Sequence, residues 1–411
     1  MSITSTTANK KAPPQLPRGL PYLGHALAFS RNPVKLLRQS REQFGDIFSF
    51  LLAGKQVTVL TGLLGNEAFF KASDDCLSAK EAYQFMTPIL GKGIAYDVSP
   101  ELMNEQLGFV FPALKEERMQ AYARLMQAEA EAYFAAWQDE EEVDLLAAMN
   151  ELTIFIASNC LIGSEFRQNV TTEFAKLYHD LEGGVNLIAF FFPNLPLPSF
   201  QRRDRAHRRI VELIWPIIAQ RRKQGTKRAD ILQALMDASY SDGTVLSDDN
   251  ITGLLLTLLF AGQHTSAVLA TWTGILLLQH PQYLPAILEE QQTVFGSSAE
   301  INLEKLSQLA CLERAIREAM RMYPPLIMLM RTIVKDFKYK DYVMLAGSLA
   351  MVAPAVSHYI PEIFDAPQQY NPDCFAPPRE EHKQHRYATI GFGGEADIVV
   401  SAKLLPINKL K

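Results

Sequence analysis

Between Ile251 and Leu278 the chain carries no formally charged residue. A run of that length leaves few options. About 20 apolar residues suffice to span a bilayer, and a helix that is apolar all round must otherwise lie buried in a large core. Gln263, His264, Thr265 and Ser266 occupy the middle of the run, the costliest depth for polar groups in a membrane. The run therefore reads as the buried central helix of a soluble protein. Ser247 is placed to cap its start, and His280-Pro281 to end it. A chain of 411 residues, 48% hydrophobic and 21% charged, can wrap such a helix in one large domain.

The surrounding pattern is mixed at first and then helical. Asp46-Ile-Phe-Ser-Phe-Leu-Leu and Lys55-Gln-Val-Thr-Val-Leu-Thr read as a hairpin across Ala53-Gly54. Spans 114–137, 145–160, 199–224 and 303–322 carry helical periodicity. The last ends at Pro324-Pro325, and Pro193, Pro196 and Pro198 mark a loop between two helices. Strand-like runs at 342–345 and 349–352 precede a proline-punctuated stretch. The expected fold class is mainly α with small β-sheets. Residues 1–20 form a polar, proline-rich, disordered lead-in, 21–394 a single domain, and 395–411 an aberrant tail.

Several partners are disfavoured. A net charge of −5 and a pI near 6.0 argue against nucleic acid. Met1 to Lys11 lacks the apolar core of a signal peptide, and no membrane anchor precedes the domain. The four cysteines, at 76, 160, 311 and 374, show neither metal spacing nor a disulfide framework, which fits a reducing cytoplasm.

Two motifs carry chemistry. On the central helix, spacing puts Phe260, Ala261, His264 and Thr265 on one face. Ala261-Gly262 lets a flat ligand approach the backbone, and the Thr265 hydroxyl can bond a backbone carbonyl or bound dioxygen. Further on, Glu318 and Arg321 stand one turn apart, spaced for a charge-assisted pair. Each motif is weak alone, and a polar patch satisfied inside a buried helix is the plain alternative. The run Glu318-Ala-Met-Arg-Met-Tyr-Pro-Pro-Leu326, with Leu329-Met-Arg331 after it, adds weight.

Together these residues resemble the cytochrome P-450 superfamily, and within it the soluble, bacterial type of sterol 14α-demethylase. His264-Thr265 is the sharpest mark. A second is Tyr83-Gln-Phe-Met-Thr-Pro-Ile-Leu-Gly-Lys-Gly-Ile-Ala-Tyr-Asp97. The resemblance, which runs from about Leu16 to Gly394, implies haem b and removal of the 14α-methyl group of a sterol precursor with dioxygen. Ferredoxin or flavodoxin would supply the electrons. It implies haem-propionate contacts for Tyr83 and Arg331, and catalytic roles for Thr265 and His264. Phe85, Phe260, Ala261, Leu326 and Met328 would touch substrate, and Glu318 with Arg321 would lock the core.

Two departures from the family pattern stand out. Cys374 occupies a position usually held by an arginine that joins Glu318 and Arg321. The pattern Phe-Gly-x-Gly-x-His-x-Cys-x-Gly begins at Phe392-Gly393-Gly394, and Glu395 to Lys411 does not continue it, so no metal ligand is assigned. Read one base out of frame with permitted codons, the stretch from Glu395 gives Gly-Arg-His-Arg-Cys-Val-Gly-Glu, so a frame slip near codons 394–395 is expected. The family's fold would then lack its ligand loop, last helix and strands. The alternatives to an active enzyme are a catalytically dead remnant and a haem-free sterol- or lipid-binding module.

Overall fold

The uncharged run is one helix, Asp248–Gln279, 32 residues long. Its start is doubly capped. The Ser247 hydroxyl accepts from the Asn250 amide, and the Asn250 side chain accepts from the Ser247 amide. Asp248 and Asp249 in the first turn add charge of the sign that end favours. The helix packs against Leu145–Ala157, Pro198–Gln224 and Ala310–Met322, so protein covers it from several sides, as expected for a core helix. This view comes from a computed structural model that describes residues 11–17, 19–138, 142–225, 228, 230–296 and 301–392. Residues 1–10 of the lead-in, Gly393-Gly394 and the 395–411 tail, with the expected frame slip and ligand position, lie outside the described residues.

Among the described residues, seven strands make two sheets. Strands β1 (Ile47–Leu52), β2 (Lys55–Leu60), β3 (Leu77–Ser78), β4 (Leu329–Ile333) and β7 (Leu349–Val352) form one, in the order β1-β2-β7-β4-β3. Strands β5 (Phe337–Tyr339) and β6 (Tyr342–Met344) form a separate hairpin. Ala53 and Gly54 both take positive φ, 47° and 83°, the conformation a two-residue hairpin turn requires. The proline-rich lead-in runs along β1. Ser49 donates its amide and its hydroxyl to Pro14 O, and Leu16 donates back to Ser49 O.

Two expectations need correction, and one strand was missed. The 303–322 span is two helices, Leu303–Leu306 and Ala310–Met322, not one. The break arises because the Glu290 carboxylate, from another helix, accepts the Cys311 and Leu312 amides and so starts a new helix there. The 145–160 helix is α-helical only to Ala157 and closes in a π turn, Ser158–Ile162, that ends at Gly163 with φ 119°. Finally, β4 follows the Pro-Pro stop directly, a strand that turn chemistry alone did not reveal.

Close approaches position the loop from Tyr83 to Asp97. A Cβ on Gly253 would lie 2.5 Å from Leu90 O, so the missing side chain is what lets this loop rest on the central helix. Ile89, Leu90 and Ile94 are buried in the same cluster as Leu254, Leu255 and Leu258.

Candidate active site

The middle of the central helix has one anchored face and one open face. On the anchored side, buried Gln263 donates through Nε2 to Asn150 O and Oδ1 and to Thr153 Oγ1. On the other, nothing lies within 4 Å of where a Gly262 Cβ would stand. The helix carries five threonines. Thr252, Thr257, Thr271 and Thr273 each donate to the carbonyl four residues back. Thr265 is 7% exposed, and its hydroxyl makes no bond among the described residues. It alone of the five is free to bond something other than its own helix.

His264 sits beside it, and its side chain is 53% exposed. Burial nonetheless lowers its pKa below 6.5. The ring is partly open to solvent, while the surrounding protein atoms make its charge costly. Its Nδ1 lies 3.7 Å from Glu182 Oε1, and burial pushes the Glu182 carboxyl up to about 7. Burial thus shifts both groups toward their neutral forms, the imidazole downward and the carboxyl upward. Sequence reasoning missed Glu182. The signal was there in the 174-178-182 spacing, because Phe174 and Tyr178 are fully buried and an acid four residues on shares their face. Tyr178 meets Phe260 at 5.0 Å between ring centres. Two residues one turn apart on Ser164–Glu182 therefore face two residues one turn apart on the central helix.

Tyr83, Phe85 and β4 form a second wall. Tyr83 Oη accepts from the Met330 amide at 3.3 Å, tying it to the strand that carries Arg331. Its ring stacks on Tyr96 and meets Phe85, which in turn meets Phe190. Met328 packs against the same buried cluster as Phe190 and Phe191, and Leu326 remains 37% exposed. Arg331 lies over the Phe69 ring at 5.1 Å. Its Nη1 reaches Phe69 O and Ala72 O only at 3.5 and 3.4 Å, and its other nitrogens have no partner among the described residues. The two walls are separate groups. Phe260, His264, Thr265 and Glu182 belong to one, and Tyr83, Phe85, Met328 and Arg331 to the other.

Glu318 and Arg321 are in a different condition. Arg321 binds Glu318 through Nε at 2.6 Å and Nη2 at 2.8 Å. Its remaining hydrogens go to the carbonyls of His358, Pro367 and Gln369. Cys374 donates its thiol to Glu318 Oε2 at 3.4 Å. Burial first, and then the Glu318 charge, raise the pKa of that thiol far above the usual range. Cys374 is thus a neutral donor in the core. Cys160 is buried in the helical core with its pKa pushed up to about 12 by burial. Cys76 points at Lys335 O, and Cys311 accepts from Arg314.

Comparison with known proteins settles the family. Residues 14–394 match the family model described as cytochrome P450. The chain belongs to the cytochrome P450 family. It is 37% identical over 399 residues to an Arabidopsis thaliana protein named sterol 14-demethylase, covering 95% of this chain and 82% of that one. It is 38% identical over 384 residues to the sterol 14alpha-demethylase of Mycobacterium bovis, covering 92% and 85%. The bovine lanosterol 14-alpha demethylase is 36% identical over 368 residues, covering 89% and 73%. Among solved structures, retinoic acid-bound cyanobacterial CYP120A1 superposes with a TM-score of 0.83 at 23% identity, covering 97% of this chain and 91% of that one. That likeness fixes the fold.

Cytochrome P450 membership makes this a monooxygenase with haem b as cofactor, using dioxygen and a redox partner. The described residues offer two features such a group can use: open space beside Gly262, and guanidinium nitrogens of Arg331 that have no partner among the described residues.

Proposed function

We propose that the chain removes the 14α-methyl group of a sterol precursor oxidatively, by successive oxygenations, taking electrons from a ferredoxin or flavodoxin in the cytoplasm. The observation that carries this reading is the coincidence of two facts. The relatives named for that reaction match nearly the whole chain, and the marks His264-Thr265 and the Tyr83 to Asp97 loop each stand beside apolar and aromatic side chains. A flat, largely apolar substrate is the ligand such walls favour.

Bound haem supplies the binding and activation of dioxygen. Phe85, Phe260, Ala261, Leu326 and Met328 hold the substrate by apolar contact and exclude water. Tyr83 and Arg331 orient the cofactor through its carboxylates. Thr265 has a hydroxyl not used by its own helix, and with haem bound it would hold a proton or a water close to the substrate. His264 and Glu182, 3.7 Å apart, replenish that proton from the solvent side.

The test is turnover of a 14α-methyl sterol by haem-loaded protein, with ferredoxin and flavodoxin compared as donors and the product read by mass spectrometry. Loss of the methyl group supports the reading, and hydroxylation of unrelated lipids with no sterol demethylation overturns it. A thiolate-type ferrous carbon monoxide band separates it from a haem-free sterol carrier, which would bind sterol without the band. Thr265→Ala sharpens the mechanism. Product per electron delivered is expected to fall by ~10-fold or more, with the unfolding midpoint unchanged.

A further inference from the structure

His358 is fully buried and belongs to neither wall of the site. Its two ring nitrogens touch two backbone groups from distant parts of the chain. Nδ1 is 3.1 Å from Arg321 O, and Nε2 is 2.9 Å from the Ile390 amide nitrogen. An amide can only donate and a carbonyl can only accept. Nε2 must therefore carry the lone pair and Nδ1 the hydrogen, so the neighbours admit one neutral tautomer. Protonation would set a ring N–H against the Ile390 N–H. Burial holds the ring neutral and lowers its pKa to about 3.

Both partners matter. Arg321 lies in the last turn of Ala310–Met322, so its carbonyl is one that the helix itself cannot satisfy. The clasp is mutual, because Arg321 Nη1 donates back to His358 O at 2.9 Å. The next residue, Tyr359, caps Met322 O at 2.8 Å. On the other side, Ile390-Gly391-Phe392 lies directly on the same helix. A Cβ on Gly391 would stand 2.8 Å from Met320 Cγ, and Phe392 is buried with Ala319 and Met322 and with Leu269 and Leu276 of the central helix.

We propose that His358 is a positioning residue, a strut of fixed tautomer that sets the height of the Ile390–Phe392 backbone above the Glu-x-x-Arg helix. This inference rests on family membership and on these contacts, and it is independent of which substrate is turned over.

Two variants separate the two bonds. In His358→Gln the amide oxygen reaches the place of Nε2, so it can still accept from Ile390. In His358→Asn the amide nitrogen takes the place of Nδ1, so it can still donate to Arg321 O but falls short of Ile390. The readouts are residue-resolved amide exchange at Ile390 and imidazole ¹⁵N shifts in the full chain. The wild type should show the Nδ1–H neutral form and a protected Ile390 amide. His358→Asn should raise Ile390 exchange by ~10- to 100-fold, with the Ala310–Met322 amides unchanged, and His358→Gln should restore most of the protection. Equal loss in both variants, or loss spread evenly along the helix, means that His358 only fills space and overturns the proposal. If either variant fails to fold, the wild-type ¹⁵N spectrum decides alone: the Nε2–H form overturns the strut, and the Nδ1–H form with a protected Ile390 amide upholds it.

Discussion

Two polar clusters in this protein are built on opposite terms. Around Arg321 every donor is used: two bonds go to Glu318 and three to backbone carbonyls. Around Thr265 the donors are held back. Its hydroxyl is unbonded among the described residues, Gly262 faces open space, and burial lowers the pKa of the neighbouring His264 while it raises that of Glu182 to about 7. A satisfied buried network specifies structure, and an unsatisfied one is kept for a ligand. The motifs look alike in sequence, since each pairs polar residues within about a turn of helix. Only the surroundings reveal which is which.

The sharpest way to break this contrast is Arg321→Ala. It strands the Glu318 carboxylate, 1% exposed, without a cation, at an expected cost of ~3–5 kcal/mol. Urea unfolding measures it. A midpoint close to wild type would mean that Cys374 and the Asn371 amide carry Glu318 alone, and that the cluster is less closed than described.

The closed cluster was also the more legible one. Glu318 and Arg321 were readable from spacing, because both partners lie on one helix. His358 and the three carbonyls lie 37 to 48 residues away in the chain, where no local pattern encodes the meeting, and Cys374 was placed there only by resemblance. The same holds in the open site. Thr265, His264 and Phe260 were readable from helical period, whereas Glu182 belongs to another helix and showed only as an acid on a buried face. The long central helix was legible because it is uncharged, and its Ser247 cap because capping chemistry is local. The split of 303–322 was not, since the cap that divides it is the distant Glu290.

Gly253→Ala probes the contact between the central helix and the Tyr83 to Asp97 loop. The added methyl meets Leu90 O, a backbone atom with little freedom to retreat, at 2.5 Å. Overpacking of this kind costs ~1–3 kcal/mol, and the Tyr83 to Asp97 loop is the segment that must move. Thermal denaturation together with amide exchange in that loop checks it. A stability loss with an undisturbed loop would show that the strain is absorbed elsewhere.

Glu182→Gln tests the open cluster by pH. Burial raises this carboxyl from 4.5 to about 7, so between those values the folded state binds the proton that the unfolded state has released. Stability owed to the group is complete below 4.5 and is lost as pH rises through 7. Glutamine has no charge to bury. The variant should match wild type at pH 4 and exceed it at pH 8, by ~1–2 kcal/mol once partial solvent access to the side chain is allowed for. Parallel stability curves across that range would remove Glu182 from the open cluster.

Gly262→Ala has the smallest expected effect on stability and the most informative sign. A glycine inside a helix costs ~0.5–1 kcal/mol relative to alanine, and the space beside Gly262 would admit the methyl without contact. The variant should therefore unfold slightly later than wild type, the reverse of Gly253→Ala on the same helix. That same methyl projects into the space reserved for a flat ligand, so sterol turnover and haem retention should both fall. A change that stabilises the fold while it damages the site is what an open cluster predicts. If alanine proves neutral for turnover, the space beside Gly262 is spare volume, and the approach of the ring to the helix must be set elsewhere, with Ala261 the next position to vary.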